Sequence, residues 1–240
     1  MSETVDLLAV GAHPDDVELT CGGTLARMHA LGHKTGIIDL TRGEMGTRGT
    51  PEARAKESRQ ADEILGISVR ESAGFPDARL KNDDDTRRAM VEVLRRLRPT
   101  TVILPFVQGK HPDHRVASLM CRDACFLSAL KNYPAEGKVH RPHKILYALA
   151  YREDPIKPKF VVDTSDFFEI KLAAVKCYAS QFDGVQSAGE LFPTGQDLYD
   201  LIRTQDARCG SLIRCAYGEP FYTEETIRVD DVVALGVSSM

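Results

Sequence analysis

The sequence predicts an α/β fold, and three observations carry the prediction. Short apolar runs without polar alternation, "VDLLAV", "TGIIDL" and "TTVILPF", read as strands buried on both faces. Between them lie stretches whose apolar residues recur at helical spacing. No internal repeat and no Pro/Gly/Ser-rich linker interrupts the alternation, so residues 1–240 read as one domain. Strands and helices in strict turn imply a Rossmann-like, doubly wound, mainly parallel sheet with helices on both faces.

The first strand, Val5–Val10, passes into a helix on Val17, Cys21, Leu25 and Met28, which Gly32 can end in the left-handed conformation. Thr35–Leu40 is a second buried strand. The next helix has Thr50 as N-cap and Pro51 at its first position, and it closes at Gly66. A short strand falls near Val69. Residues 83–98 place Met90, Val93, Leu94 and Leu97 on one helical face, and Pro99 stops that helix. After the strand "TTVILPF" come a helix over 113–130, strands at "KILYALAY" and "KFVVDTS", helices over 166–179 and 197–213, and a short edge strand at "CAYGEPF". Right-handed crossovers favour the strand order 3-2-1-4-5. That order sets the first and fourth strands side by side, with a ligand crevice between their carboxyl ends.

Composition narrows the partner. The 31 basic and 35 acidic residues are interspersed and leave a charge of -4, so neither nucleic acid nor a lipid surface is indicated. A small neutral or polar molecule is expected instead. The 6 cysteines form no C-x-x-C pair and the first residues are acidic, which points to a reducing cytoplasm. No apolar run approaches the roughly 18 residues of a membrane helix.

Two acidic histidine clusters stand at the expected crevice: "GAHPDD" after the first strand and "QGKHPDHR" after the fourth. His13 and Asp16, three apart at a helix start, can face one point, and His114 can reach it from the neighbouring strand end. Two imidazoles and one carboxylate on rigid elements make a cation site with positions left for water. The plainer reading makes His13 and Asp16 helix caps and His114 a solvated surface residue. Asp15, turned away from Asp16, fits a general base acting on the cation's water, or else a charge favouring the helix N-terminus. His111 could serve as an imidazolium that stabilises the oxyanion or protonates the leaving amine. Asp113 could hold that ring and raise its pKa, or cap the helix. Cys21 reads as a small packing residue, with Gly22 and Gly23 allowing close approach of the helix. His29, His33, His140 and His143 read as surface residues.

At these residues the chain resembles the PIG-L/LmbE-like zinc N-deacetylases. "AHPDDVELTCGGT" and "HPDHR" look like that family's two defining motifs, and "GTPEARAKESRQADEILGI" looks like its second helix. The later block "FVVDTSDFFEIKLAAVKCYASQF" is similar to the branch acting on N-acetylglucosaminyl malate in bacillithiol synthesis. The resemblance implies hydrolysis of an N-acetyl group on an amino-sugar conjugate, with Zn2+ or, alternatively, Fe2+, by a homo-oligomer. It implies His13, Asp16 and His114 as ligands, Asp15 as base, His111 with Asp113 as its orienting carboxylate, and Arg54 and Asp77 at the substrate. The bland alternatives are an ion pair with Glu57 for Arg54 and a turn position for Asp77. A family tyrosine falls on Leu198, one residue before Tyr199. Neutral N-acetylglucosamine or chitooligosaccharides are the alternative substrates. Two histidines and one carboxylate also occur in non-haem iron oxygenases, the alternative of a different class.

Overall fold

A computed structural model describes residues 4–149, 156–183 and 197–237. Strand β1 (Leu7–Gly11) is followed by α1 (Asp16–Ala30), β2 (Thr35–Asp39), α2 (Pro51–Leu65), β3 (Val69–Ser72) and α3 (Asp84–Leu97). Then come β4 (Thr101–Pro105), α4 (Pro112–Leu127), β5 (Lys144–Ala148) and β6 (Phe160–Asp163). A 3-10 turn at Ser165–Phe167 leads into α5 (Phe168–Lys176), α6 (Ala179–Phe182), α7 (Leu198–Ser211) and β7 (Gly218–Tyr222).

Local chemistry sets the helix ends. The Thr50 side chain accepts the Ala53 N–H, Pro51 follows it, and Gly66 closes α2 with φ at 71°. Asp83 and Thr86 form a reciprocal capping box on α3. Gly32, past the end of α1, has φ at 87°, as expected of a glycine that stops a helix.

The strands form one seven-stranded sheet in the order β3-β2-β1-β4-β5-β7-β6. Its first five strands pair in parallel, in the order the crossovers predict. The last two differ from expectation. "GEPFY" is not an edge strand: β7 lies between β5 and β6 and is antiparallel to both, which leaves β6 at the edge. The predicted helix over 166–179 is divided into the 3-10 turn, α5 and α6. The end of "KILYALAY" falls outside the described residues.

Alternation along each strand sorts the core into two faces. Leu8, Val10, Ile38, Val102 and Leu104 pack with Met90 and Leu94 of α3 and Ala117 and Met120 of α4. Leu7, Ala9, Ile37 and Ile103 face Val17, Cys21 and Leu25 of α1.

A charged group is buried where β2, β3, α1 and α2 meet. Arg70 of β3 donates to both carboxylate oxygens of Asp39 at 2.7 and 3.0 Å, to Glu18 at 2.6 Å and to Asp62 at 3.1 Å. The Tyr178 hydroxyl donates to the same Glu18 oxygen at 2.9 Å. Removing one partner of such a group leaves uncompensated buried charge. Arg70→Met should therefore lower stability by about 3–5 kcal/mol, read as a fall in the urea midpoint; an unchanged midpoint would show that the carboxylates find other partners.

Candidate metal centre and active site

The turn between β1 and α1 has an unusual backbone. Asp15, the residue before α1, has φ at 109°, which a side chain with a Cβ rarely adopts, and its carboxylate makes no capping bond to the helix. The carboxylate instead faces Arg54 Nη1 at 3.8 Å. Strain of this kind persists where the surroundings hold a functional geometry.

Asp16 stands between the His13 and His114 rings. Asp16 Oδ2 lies 3.4 Å from His13 Nδ1 and 3.2 Å from His114 Nε2. Donors about 2.0–2.1 Å from a tetrahedral cation stand about 3.3–3.4 Å apart. Each of these two spacings matches that of neighbouring donors on one cation, and the same Asp16 oxygen also accepts the His13 N–H at 2.9 Å. A nitrogen of His111 also lies within 4.8 Å of nitrogens of His13 and His114.

The other nitrogen of His13 meets two more carboxylates. His13 Nε2 lies 3.0 Å from Asp77 Oδ1 and 3.6 Å from Asp113 Oδ2. These three residues also form a compact donor group. Met45 N–H donates to Asp77 Oδ2 at 2.8 Å and Ala78 N–H to Asp113 Oδ2 at 2.7 Å. The 3.0 Å contact between His13 and Asp77 is an ordinary hydrogen-bond length. His13 can thus ligate through Nδ1 and donate Nε2–H to a carboxylate, the usual arrangement behind a ligating histidine.

Three expectations need correction. Asp113 does not hold the His111 ring: its carboxylate points to Ala78 and His13, while its own N–H donates to His111 Nδ1 at 3.2 Å. His111 is itself the N-cap of α4, and its Nε2 is left as the position for the ring proton. Asp77 is buried with both oxygens used inside the protein, so it does not present them to sugar hydroxyls. Arg54 is buried as well; it faces Asp15, donates to Pro14 O at 3.4 Å and bonds Gln181. Nor does Arg54 pair with Glu57, whose carboxylate accepts the N–H and hydroxyl of Ser180 at 2.7 Å each.

Charge crowding shifts the site's protons. Burial of the Asp15 carboxyl and the neighbouring Asp16 push its pKa up to about 8, against the pull of Arg54 and His13. Burial opposes a charge on Asp16 too, but His114 and His13 hold it well below the usual carboxylate range. Burial works against the charged form of His13, yet Asp16, Asp77 and Asp15 outweigh it and raise the ring to about 9. Burial, with the charge on His13 and His114, lowers the His111 pKa, which disfavours the expected imidazolium.

A cavity of about 30 Å³ adjoins Asp16 and His114, lined also by Val10, Thr20, Cys21 and Phe106. A larger one of about 870 Å³, lined by Arg87, Arg122, Phe126 and Arg141, touches neither histidine cluster. Leu198 is buried in a cluster with Leu19, Phe168 and Ile202, and the Tyr199 hydroxyl donates to Asp183 at 3.2 Å. His140 is half-buried rather than on the surface and hydrogen-bonds Pro99 O at 2.7 Å. The supporting contacts of Met45 with Asp77 and of Gln181 with Arg54 carried no signal in the sequence.

The sequence profile of the PIG-L family, described as GlcNAc-PI de-N-acetylase, matches residues 8–125. The diacetylchitobiose deacetylase of Thermococcus kodakarensis is 31% identical over 188 residues, 73% of this chain and 70% of that protein. A conserved protein of Thermus thermophilus, TT1542, is 39% identical in sequence, with a TM-score of 0.85 over 95% of this chain and 98% of that one. A probable N-acetyl-alpha-D-glucosaminyl L-malate deacetylase 2 of Bacillus cereus is 29% identical over 84% of this chain and 90% of its own. A 4-oxalmesaconate hydratase of Pseudomonas putida is 27% identical over 72% of this chain and 73% of its own. The chain belongs to the PIG-L family, the LmbE-like N-deacetylases. It is an enzyme of the deacetylase class, a hydrolase whose family acts on N-acetylglucosamine-containing molecules, and the oxygenase expectation falls away.

If Asp77 orients His13, Asp77→Asn should weaken zinc binding by about 10- to 100-fold while leaving KM near wild type. A raised KM with wild-type zinc affinity would instead put Asp77 on the substrate.

Proposed function

We propose that this protein removes the acetyl group from an N-acetylglucosamine conjugate, using a divalent cation held by His13, Asp16 and His114, with zinc as the cation and iron as the alternative. The observation that carries the proposal is the placing of one Asp16 oxygen at 3.4 and 3.2 Å from two imidazole nitrogens. A bound cation would supply a Lewis acid that acidifies a water and polarises the amide carbonyl.

The chain's own groups then do the rest. Asp15 makes no side-chain capping bond; the positive charge of a cation held beside it would favour its ionised form against the burial that raises its pKa, and the carboxylate takes the water's proton, with Arg54 behind it fixing its position. His111 is exposed at the start of α4, and the Asp113 N–H occupies its Nδ1. Its Nε2–H can therefore donate a hydrogen bond to the carbonyl oxygen as negative charge develops, while the proton that Asp15 took from the water passes to the departing nitrogen as the C–N bond breaks. Asp77 and Asp113 keep the His13 ring oriented from its far side. A chelator should abolish acetate release and zinc restore it. Asp15→Asn should retain zinc yet lower kcat by about 10² to 10⁴; loss of zinc with it would make Asp15 a ligand.

For the conjugate itself we favour N-acetylglucosaminyl malate, supported by the Bacillus cereus relative, which aligns along 84% of this chain. The neutral alternative is supported by the diacetylchitobiose deacetylase at 31% identity. A comparison of kcat/KM for the malate conjugate, diacetylchitobiose and free N-acetylglucosamine decides between them. Because Arg54 is buried against Asp15, Arg54→Gln should slow all three in the same proportion. A selective loss on the malate conjugate would return Arg54 to the substrate.

A further inference from the structure

Helix α1, which begins with Asp16, does not run unbroken. Its Cys21 leaves the helical backbone at φ -146° and ψ 20°, so a first turn over residues 16–20 is set apart from the longer segment that follows. Within that first turn the Thr20 hydroxyl donates to Asp16 O at 2.7 Å. A break of this kind strips the next amides of intrahelical acceptors, as at any helix start.

One carboxylate meets two of them. Gly23 N–H donates to Glu219 Oε1 at 2.9 Å and Thr24 N–H to Glu219 Oε2 at 2.6 Å. Glu219 comes from β7 and is fully buried. Lys171 Nζ, equally buried on α5, lies 2.9 Å from Glu219 Oε1 and bonds Asp206 of α7 at 2.7 Å. The approach is close: a Cβ on Gly23 would stand 3.0 Å from Thr164 side-chain atoms and 3.2 Å from Glu219 Oε1. A carboxylate at the N-terminal end of a helical segment is favourably placed for its dipole as well as for its amides.

We propose that Glu219, held by Lys171, is a positioning residue for Asp16. By capping the resumed helix it maintains the break, and the break lets the first turn point independently of the axis that packs on α5. Asp16 is thereby aimed at His13 and His114 rather than carried wherever a straight helix would take it. The inference rests on Asp16 being a cation ligand. It makes a strand near the end of the chain part of the machinery that holds the cation, although Glu219 touches neither cation nor substrate.

The test measures zinc affinity by chelator competition, together with the visible spectrum of the cobalt-substituted protein, which reports coordination geometry. Glu219→Gln keeps the shape but places an amide NH2 against amide N–H groups and Lys171. Gly23→Ala keeps every charge and crowds the Glu219 carboxylate at 3.2 Å, with the Thr164 side chain at 3.0 Å; Thr164→Ser in the same background relieves the contact with the Thr164 methyl and leaves that with Glu219. Both should weaken zinc binding, by about 10- to 100-fold for Glu219→Gln and less for Gly23→Ala. Both should alter the cobalt spectrum and lower kcat with KM unchanged. Wild-type zinc affinity and cobalt spectrum in the folded variants, with only the melting temperature lowered, would overturn the proposal. If Glu219→Gln does not fold, Gly23→Ala decides alone. His114→Ala is the control: unchanged zinc affinity there would refute the ligand set itself, a failure distinct from that of the positioning role.

Discussion

The parallel pairing of β1 with β4 is the constraint on which the site depends. Leu7, Leu8 and Ala9 stand opposite Thr101, Val102 and Ile103, so both strands end at the same edge of the sheet. Each is followed by a short turn and a helix, which brings the clusters around His13 and His114 to one crevice although they lie far apart in the chain. Such pairing must overcome the entropy of closing a long loop. Apolar residues buried on both faces of these strands provide the compensating free energy.

Four carboxylates crowd one imidazole, and their partners separate their roles. Asp77 is satisfied by Met45 N–H and Asp113 by Ala78 N–H, while Asp15 faces a guanidinium. Asp16 shares a single oxygen between two rings. Burial makes an unpaired charge costly, so each distinct partner selects a distinct chemistry. The same residue type occurs four times around one ring and does not do the same work.

Family membership leaves the reaction's details to the site. Deacetylases and a hydratase stand among the relatives of this chain, so the fold alone does not choose between adding water across an amide carbonyl and adding it to a carbon–carbon double bond. What bears on that choice is the group beside the cation that can take the water's proton, and the group that can donate to the departing atom. In the proposed reaction these are Asp15 and His111, on opposite cluster turns, both outside the pair of carboxylates beside His13.

By itself the sequence determined the parallel half of the sheet, the helix ends written in Thr50, Pro51, Gly66 and Asp83, and the meeting of the two histidine clusters. Those features follow from local spacing, backbone preference and the handedness of crossovers, all of which are carried by neighbouring residues. Tertiary structure alone decided where β7 inserts, that Arg54 is buried against Asp15 and Asp77 against His13, and that the His111 side chain rather than that of Asp113 caps α4. It alone joined Glu219 to the break at Cys21. The physical reason is that a buried carboxylate or guanidinium takes its role from whichever donor or charge folding brings within about 3 Å, and those partners come from distant parts of the chain.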